Sequence, residues 1–252
     1  MIPQALALGK VVRRIDWTAQ QFSIVVQADI APFVAGQFTK LALQNEQGDW
    51  IRRAYSIVNS PQEYAQTGEL EFLIVAAPNG QLSAKLQLLQ QGDAVGVGKQ
   101  SSGFMTLAEV PSYAKELWLM ASGTGIGPYI SMLKFPSLPF EKIVLVHAVR
   151  TEADLVYASQ IAQLQAHHHS LTFVKIVSRE NVNGVLSGRI PQLLRNGALE
   201  QAASLSLDPD SSFVYLCGNP SMVKDTGVAL NERGLNKHLR RAPGHYSFEN
   251  YW

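Results

Sequence analysis

Ile51-Arg52-Arg53-Ala54-Tyr55-Ser56-Ile57-Val58 sets two guanidinium groups ahead of a phenol and a hydroxyl, in a run that alternates as a strand does. Alternation sends successive side chains to opposite faces. Arg53, Tyr55 and Ile57 point one way, and Ala54, Ser56 and Val58 the other. An arginine fork suits a diphosphate or another anion. A tyrosine offers a ring its flat face and a hydroxyl. The set suits a flavin nucleotide; by itself it also fits a solvated edge strand, and Arg52 reads as a surface charge.

The flanking sequence extends the strand reading. Val11–Trp17, Phe22–Gln27, Gln37–Leu43, Glu69–Ala76 and Ala94–Val97 are short runs rich in β-branched and aromatic residues, punctuated by Gly36, Gly48, Gly68 and Gly92. Close spacing without helix-length gaps predicts an antiparallel β-barrel. One helix interrupts it, with Ser83 as N-cap, Leu86 and Leu89 on its buried side and Gly92 at its end. The turn Ala77-Pro78-Asn79-Gly80-Gln81-Leu82-Ser83 feeds that helix, so it reads either as an anion site for a pyrophosphate or as an ordinary strand–turn–helix junction. The strand pattern fades beyond Lys99, which predicts a first domain over 1–101 and a second over 102–252.

From Glu116 the pattern becomes an alternation of strands and helices. Leu117–Ala121 is apolar throughout, as expected of a strand buried on both faces. Ser122-Gly123-Thr124-Gly125-Ile126-Gly127-Pro128 then leads into a helix, a turn that lets backbone approach a phosphate closely. Later strands are Ile143–Val149, Leu171–Val177 and Phe213–Leu216. The predicted architecture of this half is an α/β parallel-sheet domain. Arg150, Ser178-Arg179 and Arg189 fall at or beyond strand ends, where open α/β sheets bind ligands. Arginine in place of an acid at the ribose points to a 2′-phosphate, hence NADP rather than NAD. Any one of these arginines alone reads as surface.

Cys217-Gly218-Asn219-Pro220-Ser221-Met222 closes the last of these strands. Cys217 reads as a buried structural residue or as packing near a nicotinamide, with no basic neighbour to make it a reactive thiolate. Gly218, Asn219 and Met222 are grouped with it at the NADP site. His167-His168-His169 has no acidic or cysteine neighbours and reads as a solvated loop, so no metal is expected. Lys237, Arg240 and Arg241 form a basic segment that would suit an acidic partner. Tyr251-Trp252 ends the chain on two aromatics, expected to dock into core or over a planar cofactor.

The 252 residues carry a net charge of +1, with 46% apolar and 16% charged residues, so no global field points to nucleic acid or a membrane surface. A single cysteine excludes an internal disulfide and a four-cysteine metal or iron–sulfur site. Ile2-Pro3-Gln4 does not open a signal peptide, and no apolar run approaches the ~20 residues of a membrane span, so a cytoplasmic protein is expected; a monomer is also expected.

Arg53-Ala54-Tyr55-Ser56, Gly80-Gln81-Leu82-Ser83, Gly123-Thr124-Gly125-Ile126-Gly127-Pro128, Cys217-Gly218-Asn219-Pro220 and the Tyr251-Trp252 end, in that order, resemble the ferredoxin–NADP reductase family, in particular its bacterial branch that also serves flavodoxins. The resemblance covers essentially the whole chain. It implies an FAD-binding antiparallel barrel and an NADP-binding α/β domain whose aromatic tail returns to the flavin. It also implies electron transfer between NADPH and ferredoxin or flavodoxin, by hydride transfer at flavin N5 and single-electron steps to an acidic carrier.

By the same resemblance Arg53 contacts the FAD diphosphate, Ala54 is among the FAD-binding residues, Tyr55 flanks the isoalloxazine and Ser56 hydrogen-bonds near its N5. Leu73, Ile74, Val75 and Ala76 run along the flavin, and Gln81, Leu82 and Ser83 hold the phosphates. Thr124 sits near both cofactors. Arg150, Ser178, Arg179 and Arg189 take the 2′-phosphate end of NADP. Tyr251 covers the flavin face, and Trp252 stacks on flavin or adenine. Ser56, Tyr55, Cys217 and Tyr251 thus surround the reacting rings. The family pattern departs at Ser122 and Gly125, where relatives often carry threonine and alanine. An NADPH-dependent reductase of free flavin or quinone, and a non-catalytic flavin electron-transfer subunit, are the alternatives.

Overall fold

Alternating apolar side chains build the first sheet. β1 (Leu6–Asp16), β2 (Gln21–Gln27), β3 (Phe38–Gln44), β4 (Trp50–Ser56), β5 (Glu69–Val75) and β6 (Ala94–Gly98) assemble in the order β4-β3-β6-β1-β2-β5. Every pairing is antiparallel. The inward-facing residues include Val11, Phe22, Ile24, Leu41, Phe72, Ile74 and Val97, all essentially inaccessible to water. Each such side chain contributes about 1.5–3 kcal/mol on burial. β4 and β5 stand at opposite ends of the order, yet the Val58 N–H just past β4 donates to the Glu71 carbonyl in β5 at 3.0 Å. The sheet therefore curls upon itself, as the expected barrel requires.

The computed structural model describes residues 2–77, 79–239 and 241–250. They fall into two units. The first holds the described residues up to Thr106 together with Ile130–Lys134; the second holds Leu107–Tyr129 and the described residues from Phe135 on.

Two short helices punctuate the first unit. The strand pattern gave no sign of α1 (Pro61–Thr67), which runs from a Ser60/Glu63 capping box to a left-handed Gly68. α2 (Ser83–Gln87) is shorter than expected and begins differently. Leu82, not Ser83, occupies the N-cap, in a right-handed helical conformation that makes no side-chain cap. The Ser83 hydroxyl turns back instead and accepts the Ala77 N–H at 3.1 Å. Gly92 keeps its positive φ of 101°, but in the turn before β6 rather than at the helix end.

The second unit is an all-parallel sheet. Its strands are β7 (Glu116–Ser122), β8 (Lys142–Val149), β9 (Leu171–Val177), β10 (Leu186–Ser187), β11 (Ser212–Gly218) and β12 (Tyr246–Asn250), ordered β10-β9-β8-β7-β11-β12. A 3-10 turn over Gly123–Ile126 and α3 (Gly127–Leu133) follow β7, with Ile130–Leu133 grouped with the first unit. The remaining helices are α4 (Ala158–His167), α5 (Ile190–Arg195), α6 (Ala198–Ala203) and α7 (Pro220–Asn231). β7 and β11 are buried on both faces, which explains their unbroken apolar sequences. β12 was not visible as a strand in the sequence; it forms by parallel pairing with β11, Val214 opposite Tyr246 and Gly218 opposite Asn250.

The histidine triplet is a solvated loop only in part: His167 and His169 are exposed, and His168 is not. His167 ends α4 and its Nε2 meets the Pro136 carbonyl at 3.0 Å, while His168 is buried against it. Among the described residues no three histidine, cysteine, aspartate or glutamate side chains are placed to hold a metal, and no helix is long and apolar enough to cross a membrane.

Candidate functional site: two nucleotide-binding regions

In the first unit the candidate residues gather at the β4/β5 seam. On β4, Arg53 and Ala54 are exposed, Tyr55 is half-buried against the core and Ser56 is buried. Burial pushes the Tyr55 phenol up to about 12, with the Arg53 charge opposing, so the ring stays neutral. Arg52 and Arg53 are exposed, and the Arg53 guanidinium touches only the Arg52 carbonyl among the hydrogen bonds described. On β5, Leu73 and Ile74 are buried and Ala76 lies just beyond the strand end. Val75, by contrast, is 43% exposed although every neighbour from Leu70 to Ala76 is buried. The exposed Val75 on β5 and the half-buried Tyr55 on β4 offer apolar surface that fits a flat ring. The exposed guanidinium on the same strand fits its phosphates.

The chain leaves β5 directly into the phosphate-binding candidates. The Gly80 N–H closes a turn on the Ala77 carbonyl at 2.9 Å, and a Cβ on Gly80 would lie 2.3 Å from Ser83 Oγ. A side chain there would push the Ser83 hydroxyl off the Ala77 N–H. Gln81 is exposed, whereas the Leu82 side chain is buried in the barrel core. Leu82 offers a ligand its backbone alone. Pro78 in this turn lies outside the described residues.

In the second unit the strand order reverses at β7. The chain steps from β7 to β8, β9 and β10 on one side, then returns to β11 on the other. Open α/β sheets bind ligands beyond the carboxyl ends of the strands at such a switch point. Here those ends are Ser122-Gly123-Thr124-Gly125 and Cys217-Gly218-Asn219. The two turns interlock. A Cβ on Gly125 would lie 2.3 Å from the Cys217 carbonyl oxygen, and the Asn219 N–H donates to Ser122 Oγ at 2.9 Å. Asn219 spends its own side chain on the cap of α7, accepting the Ser221 and Met222 N–H groups at 2.9 and 3.3 Å. Cys217 is fully buried, so what it turns toward the glycine loop is backbone. Thr124 is partly exposed in the 3-10 turn.

Arg150, Ser178, Arg179 and Arg189 meet at one corner of this sheet. The Arg179 N–H donates to the Arg150 carbonyl at 2.9 Å, and Ser178 binds the Val149 carbonyl through both its N–H and its hydroxyl. β10 pairs with β9 up to Ser187 opposite Val177, which brings Arg189 alongside. All three arginines are exposed, and none pairs with a carboxylate among the described residues. Three uncompensated guanidinium groups fit a dianionic phosphate.

Two contributors escaped the sequence reading. His147, in β8, is completely buried, with Nε2 3.0 Å from the Gly123 carbonyl. Glu180 accepts the Glu152 N–H at 2.7 Å and ties the loop after β9 to the loop after β8. Both links cross strands that only the parallel pairing brings together, and neither residue type has a local signature. Tyr251, Trp252 and Arg240 lie outside the described residues. Within the basic segment, Lys237 Nζ sits 4.1 Å over the Phe248 ring, and Arg241 is exposed.

Comparison with known proteins assigns both units. A family profile described as an oxidoreductase FAD-binding domain matches residues 11–103, and one described as an oxidoreductase NAD-binding domain matches residues 119–227. The chain is thus a two-domain oxidoreductase with an FAD-binding domain and a nicotinamide-nucleotide-binding domain. Its sequence is similar to the flavodoxin/ferredoxin–NADP reductases of Buchnera aphidicola subsp. Baizongia pistaciae, at 47% identity over 97% of this chain and 98% of that one, and of Escherichia coli (strain K12), at 45% over the same shares. The fold is similar to a ferredoxin NADP+ reductase from Neisseria gonorrhoeae with bound FAD and NADP, at a TM-score of 0.89 and 32% identity, covering 99% of this chain and 100% of that one. The chain belongs to the flavodoxin/ferredoxin–NADP reductase family.

Proposed function

We propose that this chain is an FAD-dependent reductase that moves electrons between NADPH and ferredoxin or flavodoxin, with the residue roles set out below. The observation that carries the choice of nicotinamide cofactor is the corner of Arg150, Arg179 and Arg189, three exposed guanidinium groups without a carboxylate partner among the described residues. A 2′-phosphate satisfies them; a bare ribose hydroxyl does not.

FAD, when bound, supplies the step from a two-electron donor to a one-electron acceptor, and the protein supplies position and electrostatics. Tyr55 and Val75 provide the apolar cover for the ring, Arg53 the charge for the diphosphate, and the Gly80–Ser83 backbone further phosphate contacts. Ser56, buried at the end of β4, orients the reacting edge of the ring. The interlocked turns at Gly125 and Gly218 present the backbone on which the nicotinamide dinucleotide lies. The family resemblance gives Tyr251 and Trp252, which lie outside the described residues, the role of a gate for nicotinamide, and removing both is expected to change NADP+ affinity and the rate of flavin reduction. Lys237, Arg240 and Arg241 meet the acidic carrier. The reading places a monomer in the cytoplasm, its single cysteine buried.

The test is an absorbance spectrum of the purified protein before and after anaerobic addition of NADPH, then of NADH. A flavin spectrum bleached rapidly by NADPH and slowly by NADH is expected. Turnover is then compared among ferredoxin, flavodoxin, free FMN and a quinone. Bound flavin that NADPH never bleaches would make the chain a non-catalytic flavin subunit, and turnover confined to FMN or quinone would make it a free-flavin reductase.

A further inference from the structure

A fully buried imidazole inside a parallel sheet demands a reason. His147 lies between Ala121 of β7 and Lys175 of β9 in register, among strands whose other fully buried positions are apolar. Valine or leucine would pack there without burying two ring nitrogens. The ring makes one hydrogen bond, from Nε2 to the Gly123 carbonyl at 3.0 Å, while Nδ1 is buried with no partner. A carbonyl only accepts, so Nε2 carries the proton and Nδ1 is bare. Burial holds the ring neutral, its pKa lowered to about 4.

The recipient is the turn residue with the least ordinary backbone. Gly123 has φ +55°, and a Cβ there would meet nothing within 4 Å. Glycine is thus present for conformation and not for space. Gly123 opens the 3-10 turn Gly123–Ile126, so its carbonyl lies at the start of a backbone-bonded turn. The His147 Nε2–H adds a side-chain donor to that carbonyl from inside the sheet. Because a peptide unit is planar, fixing that carbonyl fixes the whole Gly123–Thr124 peptide.

We propose that His147 is a positioning residue for the nicotinamide-dinucleotide site: its Nε2–H clamps the Gly123 carbonyl from inside the sheet and so holds the Ser122–Gly125 turn in its ligand-binding form. The inference rests on the reading of that turn as the NADP(H)-binding loop. His147 touches no ligand and acts through Gly123.

The test uses the full-length, FAD-loaded protein with His147→Leu, which removes the donor, and His147→Gln, whose amide nitrogen can reach the same carbonyl. A hydrogen bond to a turn is worth about 1–1.5 kcal/mol net, so His147→Leu is expected to weaken NADP+ binding and raise the KM for NADPH by roughly tenfold. Reoxidation of dithionite-reduced flavin by ferricyanide, which needs no NADP(H), is expected to stay at the wild-type rate. His147→Gln is expected to recover NADP+ binding to within about threefold of wild type. Wild-type NADP+ affinity in His147→Leu, or no recovery in His147→Gln with flavin content intact, would overturn the proposal. Should both variants misfold, nitrogen-15 spectra of the wild-type ring decide: an Nε2–H tautomer whose shifts move on NADP+ saturation is expected, and an Nδ1–H tautomer or an unmoved signal refutes the clamp. A wild-type protein that binds no NADP(H) would instead sink the reading of the loop.

Discussion

Gly218 and Ser122 leave no room for one more carbon: with φ at +132°, a Cβ on Gly218 would lie 2.4 Å from Ser122 Oγ and 2.5 Å from its carbonyl oxygen. The clash is largely with backbone, which cannot step aside. Gly218→Ala and Gly125→Ala are therefore expected to cost several-fold more stability than Gly123→Ala, where only the left-handed φ is at stake at about 1 kcal/mol. Thermal melts of the three variants check the order. A melting point for Gly123→Ala at or below the other two contradicts it.

Charge reversal at the arginine corner tests cofactor choice. Arg150→Glu and Arg179→Glu are each expected to lower kcat/KM with NADPH by about 10–100-fold, since a charge-assisted hydrogen bond contributes roughly 1.5–3 kcal/mol. The value with NADH should move by less than about threefold. Equal losses with both cofactors would remove the 2′-phosphate from this corner.

Tyr55 separates ring contact from hydroxyl chemistry. Tyr55→Phe keeps the half-buried face and is expected to retain FAD. Tyr55→Ala removes it and should weaken FAD binding about tenfold or more, given roughly 0.5–1.5 kcal/mol for an aromatic contact plus the area it covers. Flavin content after dialysis, with the Kd from fluorescence quenching, gives the comparison. Equal flavin retention in Tyr55→Ala would exclude this face of β4.

Acid destabilises the second unit through His147. An unfolded histidine takes up a proton near pH 6.5, whereas the folded one resists to about 4. Between those values the unfolded state binds more protons, so stability is intact above about pH 6.5 and falls as the pH drops toward 4. The loss is on the order of 3 kcal/mol from this group. Asp154 is the charge that opposes it. Urea melts at pH 7 and pH 5 should show the slope, and His147→Gln should flatten it; an unchanged slope in that variant assigns the acid sensitivity elsewhere.

The capping box of α1 carries more than its helix. Ser60 Oγ accepts the Glu63 N–H at 3.1 Å, and Glu63 Oε2 accepts both the Ser60 N–H and Lys134 Nζ, each at 2.8 Å. Ser60→Ala should cost about 1 kcal/mol, and Glu63→Gln a similar amount in low salt, since the lysine end of its pair is largely buried. Chemical denaturation of the two single variants and the double variant should show losses that fall short of additive.

The strands were legible wherever local chemistry alone sets them. β4 lies where its sequence puts a strand, although burial along it rises steadily from exposed Arg53 and Ala54 through half-buried Tyr55 to buried Ser56 instead of alternating, and the apolar runs of β7, β8 and β11 lie where doubly covered strands must. The elements that escaped depend on distant partners. Tyr246–Asn250 is a strand because β11 offers it an edge, not because its own residues insist. The His147–Gly123 bond spans 24 positions and exists only because β7 and β8 run parallel. Ser83 reads as a cap in any sequence, but with Leu82 already helical its hydroxyl is drawn to Ala77. The glycine turns were recognisable as a set, while the reason for each, space at Gly125 and Gly218 but torsion at Gly123, needed coordinates.

β8 and the residue after it carry two features on one short segment: His147 is enclosed beside the turn, and Arg150, three residues on, stands in the open. If Arg150 takes the 2′-phosphate and His147 holds the turn, a substitution at the exposed position would shift preference between the nicotinamide cofactors while the enclosed one keeps the dinucleotide's bed unaltered. Cofactor preference in such a chain would then be open to retuning by single surface changes, without passing through an intermediate that has lost its grip on both cofactors.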